Sequence, residues 1–205
     1  MRFGVRDLVY IGVFGALWGA VETTLGSVLH TLNIPFSGVV LTAIGITIAL
    51  IGRLFVPQTG SVLFIGLVTS FLKMFSVGGI VLTPIIGILA ESLLVEAALT
   101  ALGKPRRASF LVAGGLATFW PFVHPFFTQG MLAGAGIATI YERTLTNGAR
   151  ALGLDPSAVV VVLAALIGLH VLVGVVAGFL AWDAGRVVQA RLRPTREAGS
   201  GERQT

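Results

Sequence analysis

The sequence predicts an all-α integral membrane protein of six transmembrane helices with both termini in the cytoplasm, and three observations carry that expectation. Of 205 residues, 55% are hydrophobic and only 11% are charged, with a mean hydropathy of +0.94. That is too little polar surface to cover a soluble domain of this length. The apolar residues fall into long runs, each near the ~20 residues that cross a bilayer as a helix rising 1.5 Å per residue. The basic residues gather in alternate connections between those runs. With no cysteine in the chain, a disulfide framework and a cysteine metal site are both excluded.

The runs lie at about 8–31, 36–55, 59–76, 79–102, 108–140 and 157–185, counted against a span of roughly 20 residues. The first begins "MRFGVRDLVYIGVFGALWG" and resembles a signal peptide, with Arg2 and Arg6 ahead of apolar residues. It runs on past Gly26, contains Glu22 and offers no small-residue cleavage site, so it reads as a retained transmembrane helix. The third run is short, and the "SVGG" that follows it is barely a turn, which makes the third and fourth helices antiparallel neighbours. The fifth is too long for one straight helix. Pro121 and Pro125 lie inside it, where each removes a backbone donor, and a kink or interruption is expected there. One membrane domain covers residues 1–193, and the polar tail at 194–205, "PTREAGSGERQT", is expected to be a disordered cytoplasmic segment.

Orientation follows from lysine and arginine placement. With the N-terminus inside, the cytoplasmic segments hold Arg2, Arg6, Arg53, Lys104, Arg106, Arg107, Arg186, Arg191, Arg193, Arg196 and Arg203, and the other side holds Lys73, Arg143 and Arg150. Eleven against three fixes the topology by the positive-inside bias. The net charge of +5 is accounted for by topology and needs no nucleic-acid partner. No internal repeat suggests the inverted halves of many secondary transporters. No G-x-x-x-x-G-K-[ST] occurs, so the chain binds no nucleotide through a P-loop.

Span one has two kinds of face. Gly12, Ala16 and Ala20 recur every four residues, as do Gly15 and Gly19. At about 100° per residue these cluster on one broad side, where small residues let helices approach closely in lipid. Glu22, in "GALWGAVETTLG", lies roughly 120° around from Ala16 and shares its side with Trp18. A carboxylate at that depth costs a few kcal/mol, about 2.5–3.5 on insertion scales, so it needs a partner or a function.

At these residues the chain resembles the substrate-binding S component of energy-coupling factor (ECF) vitamin transporters, with six spans, both termini inside and Ala16-x-x-x-Ala20 in helix one. The stretch "VPQTGSVLFIGLVTSFLKMFSVGGIVLTPIIGILAESLLVEAALTALGK", Val56 to Lys104, is similar in layout to S components for the thiamine precursor hydroxymethylpyrimidine: a cytoplasmic turn, a short third span and a glutamate-bearing fourth. The resemblance implies that Gly12, Ala16 and Ala20 dock onto a transmembrane coupling subunit driven by two cytoplasmic ATPases. It also implies a vitamin pocket near the outer surface, closed by loops and helix ends.

Chemistry and depth select the pocket residues. Glu22 lies in the outer half of span one and Glu91 near mid-membrane in span four. Trp120, His124 and Phe127 fall at i, i+4 and i+7 in "ATFWPFVHPFFTQGM", one side of a helix. Backbone carbonyls freed by the two prolines are tolerated at this depth where they line a cavity. Stacking by Trp120, polar contacts from His124 and Gln129, and a carboxylate pairing with an exocyclic amine suit an aminopyrimidine or another cationic heteroaromatic. Asn33 and Tyr141 are expected as loop contributors. Glu96 sits five residues, about 140°, from Glu91 and reads as the centre of a structural network. His170 reads as a satisfied structural histidine. Lys73 is expected to snorkel to the surface, and Asp183 to pair with Arg186 three residues on.

The function expected is capture of a small vitamin or precursor, hydroxymethylpyrimidine or thiamine first, with no catalysis, cofactor or bound metal. A stand-alone proton- or cation-coupled carrier is the alternative, since buried glutamates suit it. An intramembrane metal-dependent protease built from Glu91, Glu96, His124 and His170 is disfavoured, because the glutamates diverge and the histidines are isolated on two helices.

Overall fold

A computed structural model describes residues 3–32, 34–75, 82–103 and 105–192, except the side chain of His30. Among the described residues every secondary-structure element is a helix: α1 (Val5–Thr31), α2 (Ser37–Phe55), α3 (Ser61–Lys73), α4 (Leu82–Leu102), α5 (Arg107–Pro125), a π-helical segment (Phe126–Leu132), α6 (Ile137–Leu152) and α7 (Val159–Leu192). Five helices are long and apolar enough to cross a membrane: α1, α2, α4, α5 with its π-helical extension, and α7. The third expected span is the 13-residue α3, about 20 Å long at 1.5 Å per residue, against a hydrocarbon core of roughly 30 Å. The "SVGG" link, Asn33 and the tail at 194–205 lie outside the described residues.

The helices form a ring in which α1 touches α2 and α3, α4 bridges α3 and α5, and α7 closes between α5 and α2. Helix α2 also contacts α3, α4 and α5, so it sits furthest inside. Trp18, Ile46, Leu50, Ile65, Leu99 and Phe110 are fully buried in the shared core. Leu8, Val9, Val13 and Leu17 of α1 and Leu172, Val176 and Leu180 of α7 point outward. Apolar side chains displayed along whole helix faces belong in lipid rather than water, and the protein is membrane-embedded.

The most extensive pairing is α5 with α7, and glycine makes it possible. A Cβ on Gly174 would fall 2.0 Å from the Thr118 hydroxyl and 2.2 Å from the Gly114 carbonyl. The two backbones therefore approach as closely as small-residue faces allow. Thr118 seals the contact by donating to the His170 carbonyl at 2.7 Å.

The fifth segment differs from expectation in its length. The α-helix continues through Pro121 and gives way after Pro125 to the π-helix, an interruption of the kind expected at the prolines. The apolar segment ends at Leu132, and residues 137–140 begin α6. What reads as the longest outer loop, from Tyr141 to Arg150, is an amphipathic helix. Leu145 and Ala149 of α6 pack on Val162 and Leu166 of α7, while Glu142, Arg143, Asn147 and Arg150 are exposed.

The two ends of the bundle differ. At the end where α2 finishes and α3 starts, Arg53 is 2% exposed and pairs with Glu96 at 2.9 Å. Arg53 also donates to Ser61 and to the Gln58 carbonyl. Glu96 accepts from the Val62 amide at 3.0 Å and from Thr100 at 3.2 Å, so it caps the first turn of α3, where backbone donors lack helical partners. Gln58 extends the network to Asp7 of α1 at 2.8 Å. Glu96 is thus the structural centre that its angular offset from Glu91 suggests. At the same end Asp183 pairs with Arg107 across helices at 3.4 Å, not with Arg186, whose guanidinium lies over the Trp182 ring. A neighbouring helix reached Asp183 first, a contact that spacing within one helix cannot reveal.

Candidate functional site

At the opposite end, α1, α2, α4 and α5 enclose a cavity of about 170 Å³. Its walls include Glu22 from α1, Thr42 from α2, Thr83, Gly87 and Glu91 from α4, and Trp120, Pro121 and His124 from α5. Glu22, Glu91, Trp120 and His124, all expected to bind substrate, therefore border one cavity. The register of α5 explains the aromatic wall: Trp120 lies against His124 at 5.7 Å and Phe127 at 6.0 Å between ring centroids. The i, i+4, i+7 side survives both prolines because the helix does.

Polar groups in this cavity are partly committed. The Thr42 hydroxyl donates to Glu91 Oε1 at 2.7 Å, fixing one carboxylate oxygen. Lys73 is buried at 8% exposure instead of snorkelling. Its ammonium donates to the Glu22 carbonyl at 2.7 Å and lies 3.8 Å from Glu22 Oε2. The short α3 ends level with Glu22, so the lysine finds a carboxylate before it finds water, and an isolated buried charge would cost far more than a paired one. Two carboxyl groups beside one ammonium give the region a formal excess of one acidic group.

Two ring nitrogens stay open. Trp120 Nε1 and His124 Nε2 are buried and have no hydrogen-bond partner among the described residues. Unsatisfied buried polar atoms are uncommon and call for a ligand, water or strain as explanation. Gly87 keeps the space in front of them clear. A Cβ there would fall 3.9 Å from Glu91 Oε1 and 4.0 Å from Trp120 Nε1, so both polar atoms border the same point.

The remaining expectations sort differently. Asn33 lies outside the described residues. Tyr141 sits on α6, 37% exposed, and lines neither this cavity nor its neighbour; the expected loop is a helix whose buried side carries Ile140, Leu145 and Ala149. Gln129 and His170 line a second cavity, across α5. Sequence reading missed Thr42 and Lys73. The visible signal for Thr42 was a hydroxyl amid "VVLTAIGITIAL"; for Lys73 no local signal existed, because its partner is 51 residues away.

On α1 the small residues divide. Gly15 and Gly19 face α3, where an added Cβ would strike Val68 at 2.6 Å and Leu72 at 3.0 Å. The broad side drawn from spacing is therefore two faces. Ala16 and Ala20 are exposed, and nothing lies within 4 Å of a Cβ placed on Gly12. Ala16, Gly19, Ala20 and Thr23 line a shallow outer groove with Leu72 and Phe75. Compared with known families, curated proteins and solved structures, the chain matches none.

Proposed function

We propose that this protein is a membrane-embedded binding subunit that captures a small amine-bearing heteroaromatic, hydroxymethylpyrimidine first and thiamine second, for uptake by an ECF-type importer. The observation that carries this reading is the meeting of Glu22, Glu91, Trp120 and His124, from three helices, on a cavity with two unpartnered ring nitrogens. Glu91 accepts from the exocyclic amine, Trp120 offers its ring face and its indole N–H, and His124 Nε2 completes the polar set. The cavity is below the ~300–1,000 Å³ of drug-sized sites, which favours a single ring over the two rings of thiamine.

In this reading both termini are cytoplasmic, the membrane is the cell membrane, and the cavity opens outward. Gly12, Ala16 and Ala20 form the surface for a transmembrane coupling subunit energised by two cytoplasmic ATPases. Support comes from the exposure of Ala16 and Ala20 and the open space beside Gly12, since the bundle itself uses Gly15 and Gly19 instead.

The test is hydroxymethylpyrimidine binding to the detergent-purified chain, with thiamine in parallel, followed by Trp120→Ala and Glu91→Gln. Tight binding lost in both variants supports the site; unchanged affinity in both overturns it. One observation favours the carrier alternative: a buried ammonium on one of two neighbouring carboxylates is an arrangement that cation exchange can use. Substrate uptake by the chain alone in proteoliposomes, driven by a pH gradient, distinguishes that reading.

A further inference from the structure

Across α5 from this site lies a larger cavity of about 480 Å³, within the range of small-molecule sites. It is bounded by the start of α2, by α5 and its π-helical extension, and by α6 and α7. Pro121 is common to both cavities. The chemistry is reversed: no aspartate or glutamate lines the second cavity, and Arg143, Thr144, Asn147 and Gln129 do. Arg143, Thr144 and Asn147 fall at i, i+1 and i+4, one flank of α6, and Gln129 faces them from the π-helix. Arg143 makes no ion pair among the described residues.

Below this polar rim the wall is aromatic. The His170 ring stands edge-on to Phe122 at 5.8 Å and to Phe36 at 6.3 Å between centroids. His170 is held by its Nδ1 contact with the Leu166 carbonyl at 2.7 Å. Phe36 keeps a left-handed backbone, φ 59°, which an L-residue adopts at a cost and which recurs at ligand clamps.

We propose that this cavity is a second binding site, taking an amphiphile whose phosphate-type anionic group meets Arg143, Asn147 and Gln129 and whose apolar body rests on Phe36, Phe122 and His170. Guanidinium binds phosphate oxygens in a two-pronged, charge-assisted contact, and the two amides add neutral donors beside it. The cavity is bordered by α6, an amphipathic helix, the kind of element that meets lipid headgroups when it lies in a membrane interface. The anion is either the headgroup of a bilayer phospholipid or a soluble aryl phosphate, and the site does not depend on what the Glu22–Glu91 cavity holds.

The test uses the full-length chain in detergent with two probes: phosphatidylglycerol against phosphatidylcholine, read as lipid retained in native mass spectrometry, and phenyl phosphate, read as a thermal shift. Preferential retention of phosphatidylglycerol identifies the lipid source, and a shift with phenyl phosphate identifies the soluble one. In either arm Arg143→Gln should weaken binding about tenfold, the scale of a lost charged hydrogen bond. Asn147→Ala should weaken it less, and Arg150→Gln, whose residue is exposed and outside the lining, should leave it unchanged. Binding of neither probe overturns the site. Equal losses in Arg143→Gln and Arg150→Gln also overturn it, because diffuse surface charge then explains the attraction.

Discussion

On one side of Pro121 the chain gathers Glu22 and Glu91 with a paired lysine; on the other it gathers Arg143 with amides and no acid. Both cavities lie at the same end of the bundle and share α5, yet their polar groups come from different kinds of element. The acidic cavity draws on spans, where each charge must be partnered, hence Thr42 on Glu91 and Lys73 on Glu22. The basic cavity draws on α6, an amphipathic helix whose charged side is exposed, so its arginine needs no internal partner. One helix can therefore border two cavities of opposite lining charge when long apolar helices supply one side and an amphipathic helix supplies the other.

The largest effect comes from breaking the shared wall. One extra methylene in a packed core costs about 1–3 kcal/mol, and Gly174→Val sets a branched side chain against the Gly114 carbonyl and Thr118. The expected outcome is loss of folded protein, and with it both cavities, seen as collapse of the monodisperse peak in size-exclusion chromatography. Glu96→Gln strikes the far end of the bundle instead. It should cost about 3–5 kcal/mol, as when one partner of a buried pair is removed, measured by thermal unfolding. The relative affinities of the two cavities should not change.

Substitutions within the acidic cavity sharpen the contrast. Trp120→Ala should cost about 2–4 kcal/mol in hydroxymethylpyrimidine binding, the scale of an aromatic anchor, read by calorimetric titration, while phenyl phosphate binding stays as it was. Glu22→Gln should cost only about 1 kcal/mol, because Lys73 already engages that residue; a loss equal to that of Glu91→Gln would show that the lysine swings away when ligand binds. Tyr141→Ala should stay within about 0.5 kcal/mol for both ligands, as surface changes do.

How much of this was legible differs by residue. Glu22, Glu91, Trp120 and His124 were readable because polar and aromatic groups at depth in apolar spans are few, and helical periodicity fixes which share a side. Their meeting required knowing that α1, α4 and α5 converge around α2, which periodicity does not encode. Tyr141 was placed in a loop because apolar residues spaced around charged ones read as a connection when the preceding span is drawn eight residues too far, to 140 instead of Leu132. Lys73 and Asp183 were misassigned for one reason: each found its partner on another helix.

Composition and periodicity alone make the chain helical and membrane-embedded, place its long apolar helices, and mark the side chains too costly in lipid to be idle. Those properties follow from local composition and from the 1.5 Å rise that ties residue count to bilayer thickness. Tertiary structure decided that Glu91 borders a cavity while Glu96 is locked to Arg53, that Gly15 and Gly19 turn inward while Ala16 and Ala20 stay bare, and that α5 has a cavity on each side. The physical reason is that a helix offers several faces of comparable apolarity. Close packing, set by where glycines let backbones meet, selects among them.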